Sequence, residues 1–276
     1  MSRPVTLDAM VRARAALTPD APALVGVAAF SFADLVDRID RVRPVLDALV
    51  MPGVPVAFVG ENHPAWVEAY YGVPGSGRLL VLLNHRLHGR ELADMVRRSS
   101  AGLVVGAPAH LERVRAADCD VPMLDWDAWT ALVDDAAPAP LGTPLDTPLD
   151  GAAPAWLLFT SGTTAAPKGA LLSHASLLAA VDASTAARRV DGDDVYVFPF
   201  PLCHVAGYNV LHRHANGRPV ALLDGFDAVA FCDLVEEVSG TSCSLAATML
   251  ASLVELAERE PQRVAQLRTL RSISYG

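Results

Sequence analysis

The chain has 276 residues, 52% hydrophobic and 19% charged, which is the balance of a packed globular protein and excludes disorder over most of its length. Its 31 acidic against 22 Lys and Arg residues leave a formal charge of −9, so there is no general field for polyanions and nucleic acid is not an expected partner. No uncharged run reaches the ~18 apolar residues of a membrane span, the first residues lack a secretory h-region, and the four cysteines form no Cys-x-x-Cys pair; the expectation is a cytoplasmic protein with reduced thiols and no disulfide framework.

In chain order, a helix is predicted around Leu7, Met10 and Val11, followed by a short apolar strand at 23–27. Ser31 reads as an N-cap with Asp34 three residues on, and Phe32, Leu35, Val36, Ile39, Val42, Leu46 and Leu49 form the apolar stripe of the helix behind it, with Pro44 as a kink. A strand at 54–59 leads to a helix from Asn62 that places Trp66, Val67, Tyr70 and Tyr71 on one face. A strand at 79–83, a helix over 90–98 and strands at 103–105 and 121–124 follow. The strands are short and wholly apolar. Alternating with helical patterns, they predict an α/β fold of largely parallel sheets covered by helices on both faces.

Residues 134–154 are rich in proline and repeat Thr-Pro-Leu-Asp twice, the composition of a stiff extended linker. The expected organisation is a first α/β subdomain over 1–135, a linker over 136–154 and a second, incomplete α/β subdomain over 155–276. The second part reads as a strand at 156–159, a helix over 173–188, strands at 195–200 and 220–223, a helix from Asp227, a helix near 248–258 and a strand entering a glycine turn at 273–276.

The sharpest chemical signal is Phe-Thr-Ser-Gly-Thr-Thr-Ala-Ala-Pro-Lys-Gly at 159–169, which follows a buried strand. Four hydroxyls, two glycines and one lysine in eleven residues make a loop suited to phosphate: Gly162 lets the backbone approach, Ser161, Thr163 and Thr164 donate to anionic oxygens, and Lys168 supplies a point charge. Pro167 and Gly169 occupy the places where a Walker A loop needs glycine and a hydroxyl, so a P-loop NTPase is disfavoured. No Gly-x-Ser-x-Gly or Gly-x-Gly-x-x-Gly is present, which leaves hydrolase and dinucleotide readings without their fingerprints. His212 and His214 flank Arg213 without companion ligands and read as a solvated helix face; Asp191 to Asp194 reads as an ordinary turn before a strand.

This loop resembles the phosphate loop of the adenylate-forming acyl- and aryl-CoA synthetase superfamily, Thr-Ser-Gly-Thr-Thr-Gly-x-Pro-Lys-Gly, with Ala165 in place of a glycine. The segments Ser31-Phe32-Ala33-Asp34-Leu35, 56–62 and Leu83-Asn84-His85-Arg86-Leu87 are similar to the family's earlier landmarks in order and spacing. So is Pro199-Phe200-Pro201-Leu202-Cys203-His204-Val205-Ala206-Gly207, although Cys203 replaces an aromatic residue and Ala247 a proline.

The resemblance implies the large N-terminal domain of the adenylate-forming fold, truncated. It also implies ATP-dependent activation of a carboxylic acid to an acyl-adenylate, followed by thioester formation with coenzyme A, ATP and Mg²⁺ entering as the substrate complex. Under it, Thr160, Ser161, Gly162, Thr163, Thr164 and Lys168 hold the ATP phosphates, Thr164 stands near Mg²⁺, and His204, Val205, Ala206 and Gly207 border the acyl pocket. The family's adenine and ribose segments and its lysine-bearing C-terminal domain have no counterpart in the sequence, so the isolated chain is expected to turn over little substrate. Two alternatives stay open: an adenylation domain that loads a carrier protein, and a non-catalytic nucleotide-binding or interaction remnant. The acid and the oligomeric state are not legible.

Overall fold

A computed structural model describes residues 4–139, 149–160 and 167–275. The first half reads α1 (Leu7–Leu17), β1 (Pro22–Val25), β2 (Phe30–Ser31), α2 (Phe32–Leu49), β3 (Val56–Val59), α3 (Pro64–Gly75), β4 (Leu80–Leu83), α4 (Gly89–Arg98), β5 (Leu103–Gly106), α5 (Pro108–Arg115), β6 (Met123–Asp125) and α6 (Trp126–Asp135). The second half reads β7 (Pro154–Thr160), β8 (Lys168–Ser173), α7 (His174–Ala187), β9 (Tyr196–Phe198), α8 (Tyr208–Ala215), β10 (Val220–Leu222), α9 (Ala228–Glu237), β11 (Ser242–Leu245), α10 (Ala247–Arg259), α11 (Pro261–Val264) and β12 (Ser272–Tyr275).

These strands form two six-stranded sheets, ordered β6-β5-β3-β4-β7-β8 and β12-β11-β9-β10-β1-β2. Pairing is parallel except where β8 and β2 close their sheets antiparallel. Successive strand residues point to opposite faces, and the core divides accordingly. Phe58, Leu82 and Val105 of the first sheet share one core with Tyr196, Phe198 and Val220 of the second. Their neighbours Val59, Val81 and Val104 pack on α4 and α5, and Val197, Ala221 and Cys243 pack with residues of α9 and α10. The result is layered: outer helices, a sheet, a central helical layer, the other sheet, and outer helices again. The central strands β3, β4 and β5 are apolar and buried at every position because both faces of their sheet are covered.

Several elements depart from the sequence reading. The sheets do not follow the division at 136–154: β1 and β2 join the sheet built by the second half, while β7 and β8 complete the sheet of the first. Helix α3 is buried on every side from Ala65 to Pro74, not on one face, because it lies between the sheets. Helix α8 is also internal. His212 and His214 are fully buried and Arg213 nearly so, which overturns the solvated face. The expected stripe of α2 holds at Phe32, Leu35, Ile39, Val42 and Leu46, with Leu49 left 39% exposed. Its capping box forms as read: Asp34 N–H donates to Ser31 Oγ, and Ser31 N–H to the Asp34 carboxylate. Strands β8 and β11 and helices α5, α6 and α8 are additions to the elements read from the sequence.

Candidate functional site

Parallel strands release their carboxyl ends on one edge of a sheet, and that edge collects loops from residues distant in sequence. In the first sheet, Leu82 of β4 pairs with Leu158 of β7, so the turn Asn84–Arg86 and the phosphate-like loop leave the sheet as neighbours. The loop joins β7 to β8 as a hairpin in which Thr160 lies opposite Lys168 and Thr160 Oγ1 donates to the Lys168 carbonyl at 3.3 Å. Both side chains are exposed. Ser161, Gly162, Thr163 and Thr164, with Ala165, lie outside the described residues.

The exit of β9 in the second sheet supplies the other side. Pro201 O accepts from His204 N–H at 3.2 Å, and His204 O from Gly207 N–H at 2.9 Å, closing a 3₁₀ turn over Val205–Gly207 that leads into α8. Val205 is exposed, Ala206 half-buried and Gly207 buried. Gly207 admits no side chain because Tyr70 of α3 packs directly on it while donating its hydroxyl to Leu202 O. His204 is half-buried, and its pKa is lowered by that burial and by the positive charge of Arg86, which keeps the imidazole neutral near pH 7. Burial raises the adjacent Cys203 thiol to about 12, so it does not serve as a thiolate nucleophile.

Asn62 binds the two halves together, a role its position at the end of an apolar strand does not announce. Its Nδ2 donates to Phe200 O and Leu223 O, both at 2.7 Å, and its Oδ1 accepts from Leu202 N–H at 2.7 Å. One side chain from the β3 exit thus fixes the backbone that carries His204. Sequence reasoning also missed a cationic recess of about 330 Å³ beyond Arg86, bordered by Arg90 at the start of α4 and Arg113 near the end of α5. Arg113 is held there by donating to His85 O at 2.6 Å and Leu87 O at 2.8 Å. No group of three His, Cys, Asp or Glu side chains among the described residues is arranged to hold a metal ion.

His214, buried next to this region, is structural. His214 Nε2 donates to Ala23 O at 3.0 Å, which leaves Nδ1 to accept from the Tyr71 hydroxyl at 2.8 Å. Arg213 pairs with Asp194 at 3.0 Å and stacks over the Tyr196 ring, so the turn at 191–194 anchors α8.

A family model described as AMP-binding enzyme matches residues 11–276. A feruloyl-CoA synthase from an Amycolatopsis species is 31% identical over 271 residues, which is 95% of this chain and 52% of that protein. An indoleacetate–CoA ligase of Aromatoleum aromaticum is 30% identical over 259 residues, 89% of this chain and 50% of that protein. The chain therefore spans about half the length of the curated relatives it matches. A solved structure of a Mycobacterium tuberculosis fatty acyl CoA synthetase superposes with a TM-score of 0.86 at 22% identity, covering 98% of this chain and 54% of that one, which establishes the shared fold.

Proposed function

The chain belongs to the AMP-binding enzyme family, and from that premise we propose that it forms the phosphate- and acid-binding portion of an AMP-forming acyl- or aryl-CoA ligase. The reaction joins a carboxylate to the α-phosphorus of ATP with loss of pyrophosphate, then passes the acyl group to the coenzyme A thiol with loss of AMP. Its first step brings two anions together, so the protein must offset their repulsion.

The residues present are suited to that work. Lys168, at the rim of the β7–β8 connection, would supply positive charge to the triphosphate, assisted by Thr160, Ser161, Gly162, Thr163 and Thr164; Mg²⁺ would arrive with ATP and screen its charge, with the Thr164 hydroxyl as the group offered to it. His204, being neutral, orients the carboxylate by hydrogen bonding instead of by charge. Val205, Ala206 and Gly207 continue the border of the acid site. Arg86, Arg90 and Arg113 present a cationic surface for the phosphates of coenzyme A. The observation that carries the reading is the meeting of the phosphate-like hairpin, the Arg86 turn and a neutral His204 at neighbouring strand exits.

Binding of ATP·Mg to the 276-residue chain, measured by equilibrium dialysis, tests it. Lys168→Ala is expected to weaken binding about tenfold, the worth of one partly solvated charge contact. No ATP binding, or equal binding by the variant, refutes the assignment. Ferulate, indoleacetate and fatty acids, offered with coenzyme A or a carrier protein to the protein joined to the remaining family segments, then identify acid and acceptor.

A further inference from the structure

A second concavity lies away from the phosphate-like hairpin. Asn62 N–H donates to Asp224 O at 3.3 Å, tying the exits of β3 and β10. Around this join, the β1–β2 turn and α6 enclose a cleft of about 980 Å³, within the range of small-molecule sites. One wall is apolar, with Val25, Phe30 and Leu222. Trp126 also lines the cleft, and His63 stacks on its indole with ring centroids 4.9 Å apart and planes 3° from parallel. Burial lowers the His63 pKa, so that ring adds no charge near pH 7.

The polar groups of the cleft are strongly one-signed. Its single arginine, Arg38, is engaged by Glu68 and Asp134, both at 2.5 Å. Glu68 is 1% exposed, and its Oε2 has no hydrogen-bond partner among the described residues. Glu61 uses Oε1 to accept from His110 at 2.8 Å. Asp224 lines the same cleft as Glu61, and partial burial, then the Glu61 charge, raise its pKa. Asp127 adds a further carboxylate to the lining. Phosphates are repelled from such a surface, so the cleft differs in chemistry from the nucleotide site proposed above, although Asn62 borders both.

We propose that this cleft binds an organic cation, an ammonium group carried on an apolar or aromatic body, with the ammonium at Glu61 and Asp224 and the body against the wall of Val25, Phe30 and Leu222. The two carboxylates replace the water lost by the cation. The apolar body releases water from the Val25 and Leu222 wall.

Isothermal titration of the 276-residue chain with 4-phenylbutylamine, protonated at neutral pH, against the neutral 4-phenylbutanol tests this assignment without relying on turnover. Saturable binding of the amine is expected, with the alcohol about tenfold weaker. Asp224→Asn, at an exposed position, and Glu61→Gln, which keeps an acceptor for His110, are each expected to weaken the amine about fivefold and leave the alcohol unchanged. Equal binding of amine and alcohol, amine binding indifferent to both substitutions, or no saturation by about 10 mM overturns the proposal.

Discussion

His214→Leu is the sharpest test of the central layer. The imidazole is fully buried, donates from Nε2 to Ala23 O and accepts at Nδ1 from the Tyr71 hydroxyl, an arrangement that needs the neutral ring. Burial lowers its pKa to about 4, against 6.5 for a free histidine. Because the folded value is the lower one, the unfolded chain takes up the proton first. The associated stability is intact above pH 6.5, declines as pH falls towards about 4 and is flat below. At about 1.36 kcal/mol per pH unit, that limb amounts to roughly 3 kcal/mol.

Leucine leaves the Tyr71 hydroxyl and the Ala23 carbonyl without partners, a cost of about 2–4 kcal/mol at pH 7.5. It also removes the proton uptake. The variant is therefore much less stable at neutral pH, and the deficit closes to within about 1 kcal/mol near pH 4. Urea unfolding followed by tryptophan fluorescence reads both quantities, since Trp66, Trp129 and Trp156 are fully buried. A deficit that stays constant between pH 7.5 and pH 4.5 refutes the reasoning, because His214 would then not be the group that resists protonation.

Two further outcomes follow from the same structure. Asn62→Ala strands the Phe200 and Leu223 carbonyls and the Leu202 amide, and is expected to lower stability by about 2–4 kcal/mol and to loosen the segment at 199–204, readable as faster amide exchange there; unchanged exchange counts against the bridging role. Cys203, with its thiol raised to about 12 and 3% exposed, resists iodoacetamide at pH 8 in the folded chain and reacts once unfolded; rapid alkylation of the native protein contradicts its burial.

Much of the fold is legible in the sequence. Alternation of short apolar runs with helical stripes announced an α/β fold, and Ser31 with Asp34 announced a helix start, because periodicity and capping depend on residues a few positions apart. The phosphate-like loop and the His204 segment carried the family resemblance for the same local reason, and the match over residues 11–276 agrees with it. Strand β8 was less visible: Lys168 to Ser173 mixes exposed and half-buried positions in an edge strand, so it lacks an apolar run.

Pairing and layering belong to the tertiary structure. Nothing within 22–25 states that β1 lies beside β10, or within 154–160 that β7 lies beside β4, since those contacts join residues more than seventy positions apart. Helix α8 reads as polar by itself, and only its place between two sheets turns His212, Arg213 and His214 into buried groups that must be neutral or paired. Asn62 likewise becomes a bridge only when three strand exits converge on it. The sequence by itself therefore determined the elements and the chemistry of the loop, through short-range pattern. The tertiary structure decided which elements meet, because burial and electrostatics are set by neighbours that the chain brings from afar.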